Sequence, residues 1–373
     1  MRIKDICESI TDGSHNPPQG GDISEFLMIS SKNIFDDHIT LDEPRYLTEE
    51  QFFSEKKRTN ISAGDVLMTI VGTVGRAAVV PVGFTGITLQ RSVAVLHPRK
   101  EKCDSRYLMY ALQSKRSTFE KEAHGVAQKG IYLKQLADID IDLPDIAEQT
   151  RVVGLLDKIN GVINKRRDEI ELLDNIIKAR FVELFGDRYI NDKTWPTRKL
   201  GDCISFNNGK AHEQVVDENG EYILVTSRAI ASDFLEVRRT NALLFPLHKN
   251  DIVMVMSDVP NGRALAKCQL IDEDEKYTLN QRICSFDNYD YNPIFLLYLL
   301  NRHQYFLDFN DGNGQTNLRK NDILGCNLIN PPMELQDNFA QFVKQVDKSK
   351  FAVQKLLDET QKLFDSLMQN YFG

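Results

Sequence analysis

From Ala147 to Phe185 the chain steps by four and three residues through Val152, Leu156, Ile159, Ile163, Arg166, Ile170, Leu173, Ile177, Arg180 and Leu184. That spacing is the a/d seam of a coiled coil and predicts one long helix. At about 1.5 Å per residue the helix is roughly 55–60 Å long. So narrow an apolar stripe needs a partner helix. Moving each seam position on by 187 lands on Phe339, Val343, Val346, Lys350, Val353, Leu357, Thr360, Phe364, Leu367 and Tyr371, in a second helix beginning near Glu334. Where the first seam is charged, at Arg166 and Arg180, the second has Val353 and Leu367; where the second has Lys350, the first has Ile163. Polar seam residues set partner and register, so these two unlike helices are expected to pair within one molecule.

The segments before the helices alternate on a shorter period. Glu25–Ser30, Asp65–Val71, Ala77–Val80 and Ser92–Leu96 are β-branched runs bounded by Gly, Pro and Asp, which predicts a strand-rich core. Arg106–Ala123 has helical spacing and predicts a single packing helix, Gly125–Gly130 a loop, and Ile139–Leu143 a half-buried strand closed by Pro144. After Gly186 the pattern restarts. Phe26–Lys32 corresponds to Tyr222–Arg228, Gly64–Met68 to Asn250–Met254, Gly75-Arg76-Ala77 to Gly262-Arg263-Ala264, and Gln90-Arg91 to Gln281-Arg282. The expected fold class is α+β: two strand-rich globular domains in tandem pseudo-repeat, separated by two long helices. The expected boundaries are 1–143, 144–186, 187–331 and 332–373.

Composition adds bounds. With 373 residues, 42% hydrophobic and 27% charged, the chain suffices for two globular domains and a helical element. The N-terminus MRIKDICESITDGS lacks an apolar signal core and no run approaches eighteen apolar residues, so a cytoplasmic protein is expected. Cys7, Cys103, Cys203, Cys268, Cys284 and Cys326 are far apart, with no metal-type spacing, and read as buried free thiols. A net charge of −8 excludes a protein that coats nucleic acid by bulk electrostatics, though not a local basic face. Acids concentrate in DISEF, LDEP, TEEQ and IDEDEK, which are expected to lie away from any such face. Basic residues recur beside small polar ones at Ser30–Lys32, Lys56–Arg58, Gly72–Arg76, Leu89–Arg91, Thr226–Arg228, Asn261–Arg263, Asn280–Arg282 and Leu318–Lys320.

The order of domain, Leu143-Pro144 to Glu148-Gln149 helix, second domain and second helix with Pro331-Pro332 and Gln336 resembles the specificity subunit of a Type I restriction–modification system. Ile10-Thr11-Asp12-Gly13-Ser14-His15 and Gln128-Lys129-Gly130-Ile131-Tyr132 resemble that family's first target-recognition domain. The resemblance covers the whole chain. It implies two target-recognition domains reading the halves of a split double-stranded DNA site. It also implies an antiparallel coiled coil that docks two methyltransferase subunits, with restriction subunits as an optional addition. The second domain departs from the pattern, with Phe206-Asn207-Asn208-Gly209 for Thr11-Asp12-Gly13 and Asn317-Leu318 for Ile131-Tyr132.

No catalytic site is expected. Asn16-Pro17-Pro18-Gln19 and Asn330-Pro331-Pro332-Met333 lack the aromatic that an adenine-N6 methyltransferase stacks on its target base. No Gly-rich turn suits S-adenosylmethionine, which is expected on the partner methyltransferase subunits; no metal site, Walker lysine or nucleophile elbow is present. Arg is suited to guanine, Asn and Gln to adenine, and Arg or Lys near turns to phosphate. The candidate DNA-binding residues are Ser14, His15, Lys32, Asn33, Arg76, Gln90, Arg91, Lys129 and Tyr132 in the first domain. In the second they are Asn208, Lys210, Arg228, Asn261, Arg263, Gln281, Arg282, Asn317 and Arg319. The alternatives are a coiled-coil scaffold whose heads bind peptides or proteins, and an adenine-N6 methyltransferase in its own right.

Overall fold

Ile146–Phe185 and Met333–Phe372 are each one uninterrupted α-helix of 40 residues in the computed structural model, which describes residues 1–123, 130–259, 262–312 and 314–373. Every seam position predicted above is buried or half-buried. The structure divides into two compact units, residues 1–167 with 355–373, and residues 168–354. Each unit holds one strand-rich head and one stretch of paired helix.

In the first unit the helices run antiparallel: Arg151 meets Tyr371 at 3.3 Å, while Arg166 donates to the Leu356 carbonyl and the Thr360 hydroxyl. In the second unit Lys350 pairs with Asp174, the Phe181 and Phe339 rings lie 5.4 Å apart, and Arg180 lies over the Phe342 ring at 5.8 Å. Arg166 and Lys350 thus leave the apolar seam to meet polar groups on the other helix. A seam charge with such a partner avoids the cost of an unpaired one, which fixes register.

The first head has two sheets. One has the order Cys7–Asp12, Val93–Pro98, Val66–Thr69, Ala77–Val79, all antiparallel. The other sets Phe26–Ile29 between antiparallel Arg45–Leu47 and parallel Ile87–Leu89. The second head repeats both. Ser205–Asn208, Ile283–Asp287, Ile252–Val255 and Cys268–Leu270 form the antiparallel sheet; Tyr222–Val225 lies between antiparallel Arg238–Thr240 and parallel Tyr277–Leu279. Even the turns match. Gly64 and Asn250, each in the left-handed region with φ of 92° and 72°, precede equivalent strands. Asn is one of the few side chains that adopts that conformation readily.

Each head is fastened to its helix by one packing helix. Asp104 caps Ser105–Ser114 by accepting from the Arg106 and Tyr107 amides, and Asn292 caps Pro293–Leu300 through the amides of Ile294 and Phe295. The helices pack their apolar faces, Tyr107, Leu108 and Leu112 in one and Phe295, Leu296 and Leu299 in the other, into the cores that include the long-helix residues Val152 and Phe339.

Two expectations need correction, and one element lies outside those predicted. Arg106–Ala123 is two helices, Ser105–Ser114 and Arg116–Glu122, broken at Lys115, whose ammonium is drawn to the Phe372 carbonyl at 3.0 Å. Ile139–Leu143 is extended but makes only one bridge, Arg2 with Asp140, because its partner segment turns at once into the helix Ile3–Ile6. A helix at Glu49–Thr59 was missed, although Thr48 and Gln51 form the capping box that marks its start.

Candidate nucleic-acid interface

In the first head the C-terminal ends of four strands converge on the short link Gln90–Ser92. The amide of Gln90 donates to the Ile29 carbonyl (2.9 Å), Arg91 to Ser14 (2.9 Å), and Ile70 to Ser92 (2.9 Å). Gly13 donates to Val93 (3.1 Å), Ser14 to Leu89 (2.8 Å), and Ile131 to Ile70 (2.9 Å). Loops that begin near residues 13, 30, 70, 90 and 130 therefore share one rim. Gly13 is required there, since a Cβ would lie 2.2 Å from the Leu89 carbonyl oxygen.

The second head rebuilds this lattice. Asn280 donates to Val225 (3.2 Å), Gly209 to Ile283 (3.1 Å), Lys210 to Leu279 (3.0 Å), Met256 to Arg282 (3.3 Å) and Leu318 to Met256 (2.8 Å). The Gly209 Cβ position is blocked in the same way, 2.1 Å from the Asn280 carbonyl oxygen. The lattice corrects three correspondences. Leu318 donates to Met256 as Ile131 donates to Ile70, so Leu318-Arg319, not Asn317-Leu318, stands for Ile131-Tyr132. Gln90 is equivalent to Asn280, so Arg91 matches Gln281 and Ser92 matches Arg282; the shared letters Gln-Arg are one residue out of register. Arg76, whose carbonyl accepts from Thr69 at 2.9 Å, is equivalent to Lys267, whose carbonyl accepts from Val255 at 3.0 Å. Extra residues in the second hairpin shift Arg263 away from that place.

His15, Lys32, Arg91 and Tyr132 are exposed on the first rim, Gln90 is half-buried, and Ser14 is buried with its backbone in the lattice. Arg76 stacks over Phe35 at 5.2 Å. Asn33 is a correction. It is buried, its Oδ1 accepts from the Ser30 amide at 3.1 Å and its Nδ2 donates to the Asp42 carbonyl at 2.8 Å, so its amide is consumed by the fold. On the second rim Asn208, Lys210, Arg228, Gln281, Arg282, Asn317 and Arg319 are exposed. Arg228 approaches Glu236 at 3.7 Å, Gln281 donates to Glu213 at 2.7 Å, and Asn317 accepts from Gln315 at 3.4 Å. Arg263 is exposed in the hairpin loop. Lys129 and Asn261 lie outside the described residues.

Three rim residues escaped the sequence reading. Arg58 holds Asp12 at 2.6 Å, and Asp12 in turn bonds His15 at 2.7 Å. Asn280 and Lys267 emerge only from the backbone register. The Lys56–Arg58 run and the Thr48 capping box were the available signals for Arg58, and the Asn280–Arg282 run for Asn280; nothing local marked Lys267.

The rims carry exposed cations and amides on a hydrogen-bonded backbone, a combination suited to phosphates and base edges. The rest of the chemistry is spent on structure. The Pro17 and Pro18 carbonyls accept from Arg45, and the Pro331 carbonyl accepts from Gln336 at 2.8 Å, so both Asn-Pro-Pro segments serve as braces. All six cysteines are free and buried, and burial pushes the thiols of Cys7, Cys103 and Cys326 up to about 12, too high to form a reactive thiolate. Among the described residues no His, Cys, Asp and Glu cluster could hold a metal, and no helix is long and apolar enough to cross a membrane.

The sequence model of the Type I restriction modification DNA specificity domain matches residues 1–172 and again 192–360. The Type I restriction enzyme MjaVIII specificity subunit of Methanocaldococcus jannaschii is 22% identical over 320 residues, covering 78% of this chain and 74% of that protein. The EcoBI specificity subunit of Escherichia coli is 27% identical over 143 residues, 38% of this chain and 30% of that one. In fold, the S subunit of a Type I system from M. genitalium matches 100% of this chain and 95% of its own, with 14% identity and a TM-score of 0.56.

Proposed function

This chain belongs to the Type I restriction–modification DNA specificity family, and from that premise we propose that each head reads one half of a split duplex site through its own rim. The observation that carries the reading is one backbone lattice presenting two different sets of side chains. Ser14, Gln90, Arg91, Ser92 and Tyr132 in the first head stand where Lys210, Asn280, Gln281, Arg282 and Arg319 stand in the second. A shared scaffold with unlike donors and acceptors is what two readers of unlike half-sites need. Cations hold phosphates, while Gln90, Asn280 and Gln281 read base edges.

In the same reading the chain performs no chemistry itself. Two methyltransferase subunits dock on the paired helices and bring S-adenosylmethionine, and restriction subunits can join the same cytoplasmic assembly. The test is methylated-adenine mapping with the assembled complex, repeated after residues 188–330 are exchanged for those of another family member. One half of the methylated sequence should change and the other persist. A change in both halves, or methylation without sequence preference, would defeat the reading; the latter would favour a protein-binding scaffold.

A further inference from the structure

The turn after the first strand is superimposable in hydrogen bonding between the heads, yet its charged residue moves by one place. Gly13 is followed by Ser14 and His15, and Gly209 by Lys210 and Ala211. Base readers differ with the half-site, whereas a phosphate contact is needed in both heads whatever the bases, and a long side chain can reach the backbone from either place. The surroundings differ in a matching way. The His15 Nε2 lies 2.7 Å from Asp12 Oδ2, and Asp12 Oδ1 accepts from Arg58 Nη2 at 2.6 Å. Arg58 Nε also donates to the Asp12 backbone carbonyl at 2.9 Å. Asp12 is 7% exposed, whereas the His15 side chain is 54% exposed. In the second head Asp12 is replaced by Asn208 and His15 by Ala211.

We propose that His15 is a phosphate-binding group of the first head, held in place by Asp12, while the second head fills the same role with Lys210. The proposal rests on the DNA-reading function above. With Nε2–H donated to Asp12, the other nitrogen, Nδ1, can donate to a phosphate oxygen only if it too carries a proton. A ring donating from both nitrogens is an imidazolium, and the second proton comes from solvent. Arg58 comes from the helix Glu49–Thr59, which also carries Glu49, Glu50, Glu55, Lys56 and Lys57, and Arg91 bonds the Ser14 carbonyl through its amide. Arg58 keeps the Asp12 carboxylate in place.

The test uses the assembled complex and duplexes bearing its mapped target, with affinity measured against pH and salt. Wild-type affinity should rise as pH is lowered, by up to about tenfold per pH unit for one proton. His15→Ala should remove that rise and reduce the slope of log affinity on log salt by about 0.9, with the melting temperature unchanged. His15→Lys should restore affinity and slope at pH 8 and make them independent of pH; Asp12→Asn should weaken the pH dependence. Base preferences should be the same in every variant. A changed preference in His15→Ala, a pH rise that survives it, or failure of His15→Lys to rescue would overturn the proposal. If the wild-type complex has no sequence preference, the DNA-reading function itself fails, which is a separate result.

Discussion

The backbone amide of Asp104 donates to the side-chain oxygen of Gln149 at 2.8 Å, tying the cap of the first packing helix to the first long helix. The Gln149 amide nitrogen donates on to the Lys102 and Pro144 carbonyls at 3.0 and 2.8 Å. Gln336 repeats the arrangement with the Asn292 amide at 3.0 Å and the Pro331 carbonyl at 2.8 Å. Both glutamines are almost wholly buried. Gln149→Leu would strand three backbone groups, and each unsatisfied buried group costs about 1–3 kcal/mol. Hydrogen exchange should accelerate in residues 103–112 for Gln149→Leu, and in residues 292–300 for Gln336→Leu. Equal protection in wild type and variants would show that the glutamines do not fasten the heads.

The heads should respond oppositely to pH. His97 pairs with Asp65 at 2.9 Å, and that hydrogen bond raises its pKa above the ordinary value despite partial burial. Its contribution is fully present below about pH 6.5 and is lost as pH rises through the raised value. His303 is lowered to about 4, first by burial and then by the Arg188 charge; its Nδ1 accepts the Tyr305 amide, which fits only the neutral ring. Its contribution is present above about pH 6.5 and is lost as pH falls toward 4. Hydrogen exchange should therefore show the first unit weakening from pH 6 to 8 and the second from pH 6.5 to 4. His97→Gln and His303→Gln should each flatten one profile, and a shared profile for both units would contradict the assignment.

Gly13→Ala and Gly209→Ala should act on separate half-sites. Each added Cβ meets a backbone carbonyl, at 2.2 and 2.1 Å, and such overpacking costs about 1–3 kcal/mol. Methylation mapping should show relaxed preference in one half of the target for each variant, with the other half intact. Unchanged specificity in both would mean that the rim lattice does not position the readers.

The long helices were legible because forty residues of regular spacing outweigh local ambiguity; their ends in the structure, Ile146 and Met333, fall within a residue of those expected. Strands such as Val66–Thr69 and Val93–Pro98 were legible because buried β-branched runs lie between turn residues. The rim was not. It joins five loops spread over more than a hundred residues, and its register follows backbone hydrogen bonds rather than side-chain identity. Matching Gln90-Arg91 to Gln281-Arg282 by letter concealed Asn280, and Gly-Arg-Ala did the same for Lys267. Asn33 looked available only because its bonds to Ser30 and Asp42 depend on a turn and a later loop.

Residues 355–373 complete the first unit, with the Phe372 ring 5.0 Å from Tyr107 and its carbonyl bonded to Lys115. The ribosome makes these residues only after all of the second unit. The head encoded first is thus the one whose core is finished last, and the head encoded second can close while the chain is still being made. A nascent chain stalled with residue 354 just outside the exit tunnel should protect residues 292–300 from exchange while residues 103–112 stay open. Until synthesis passes residue 372, the side of Tyr107 that Phe372 covers remains exposed to other proteins, a hazard of assembly order rather than of equilibrium stability.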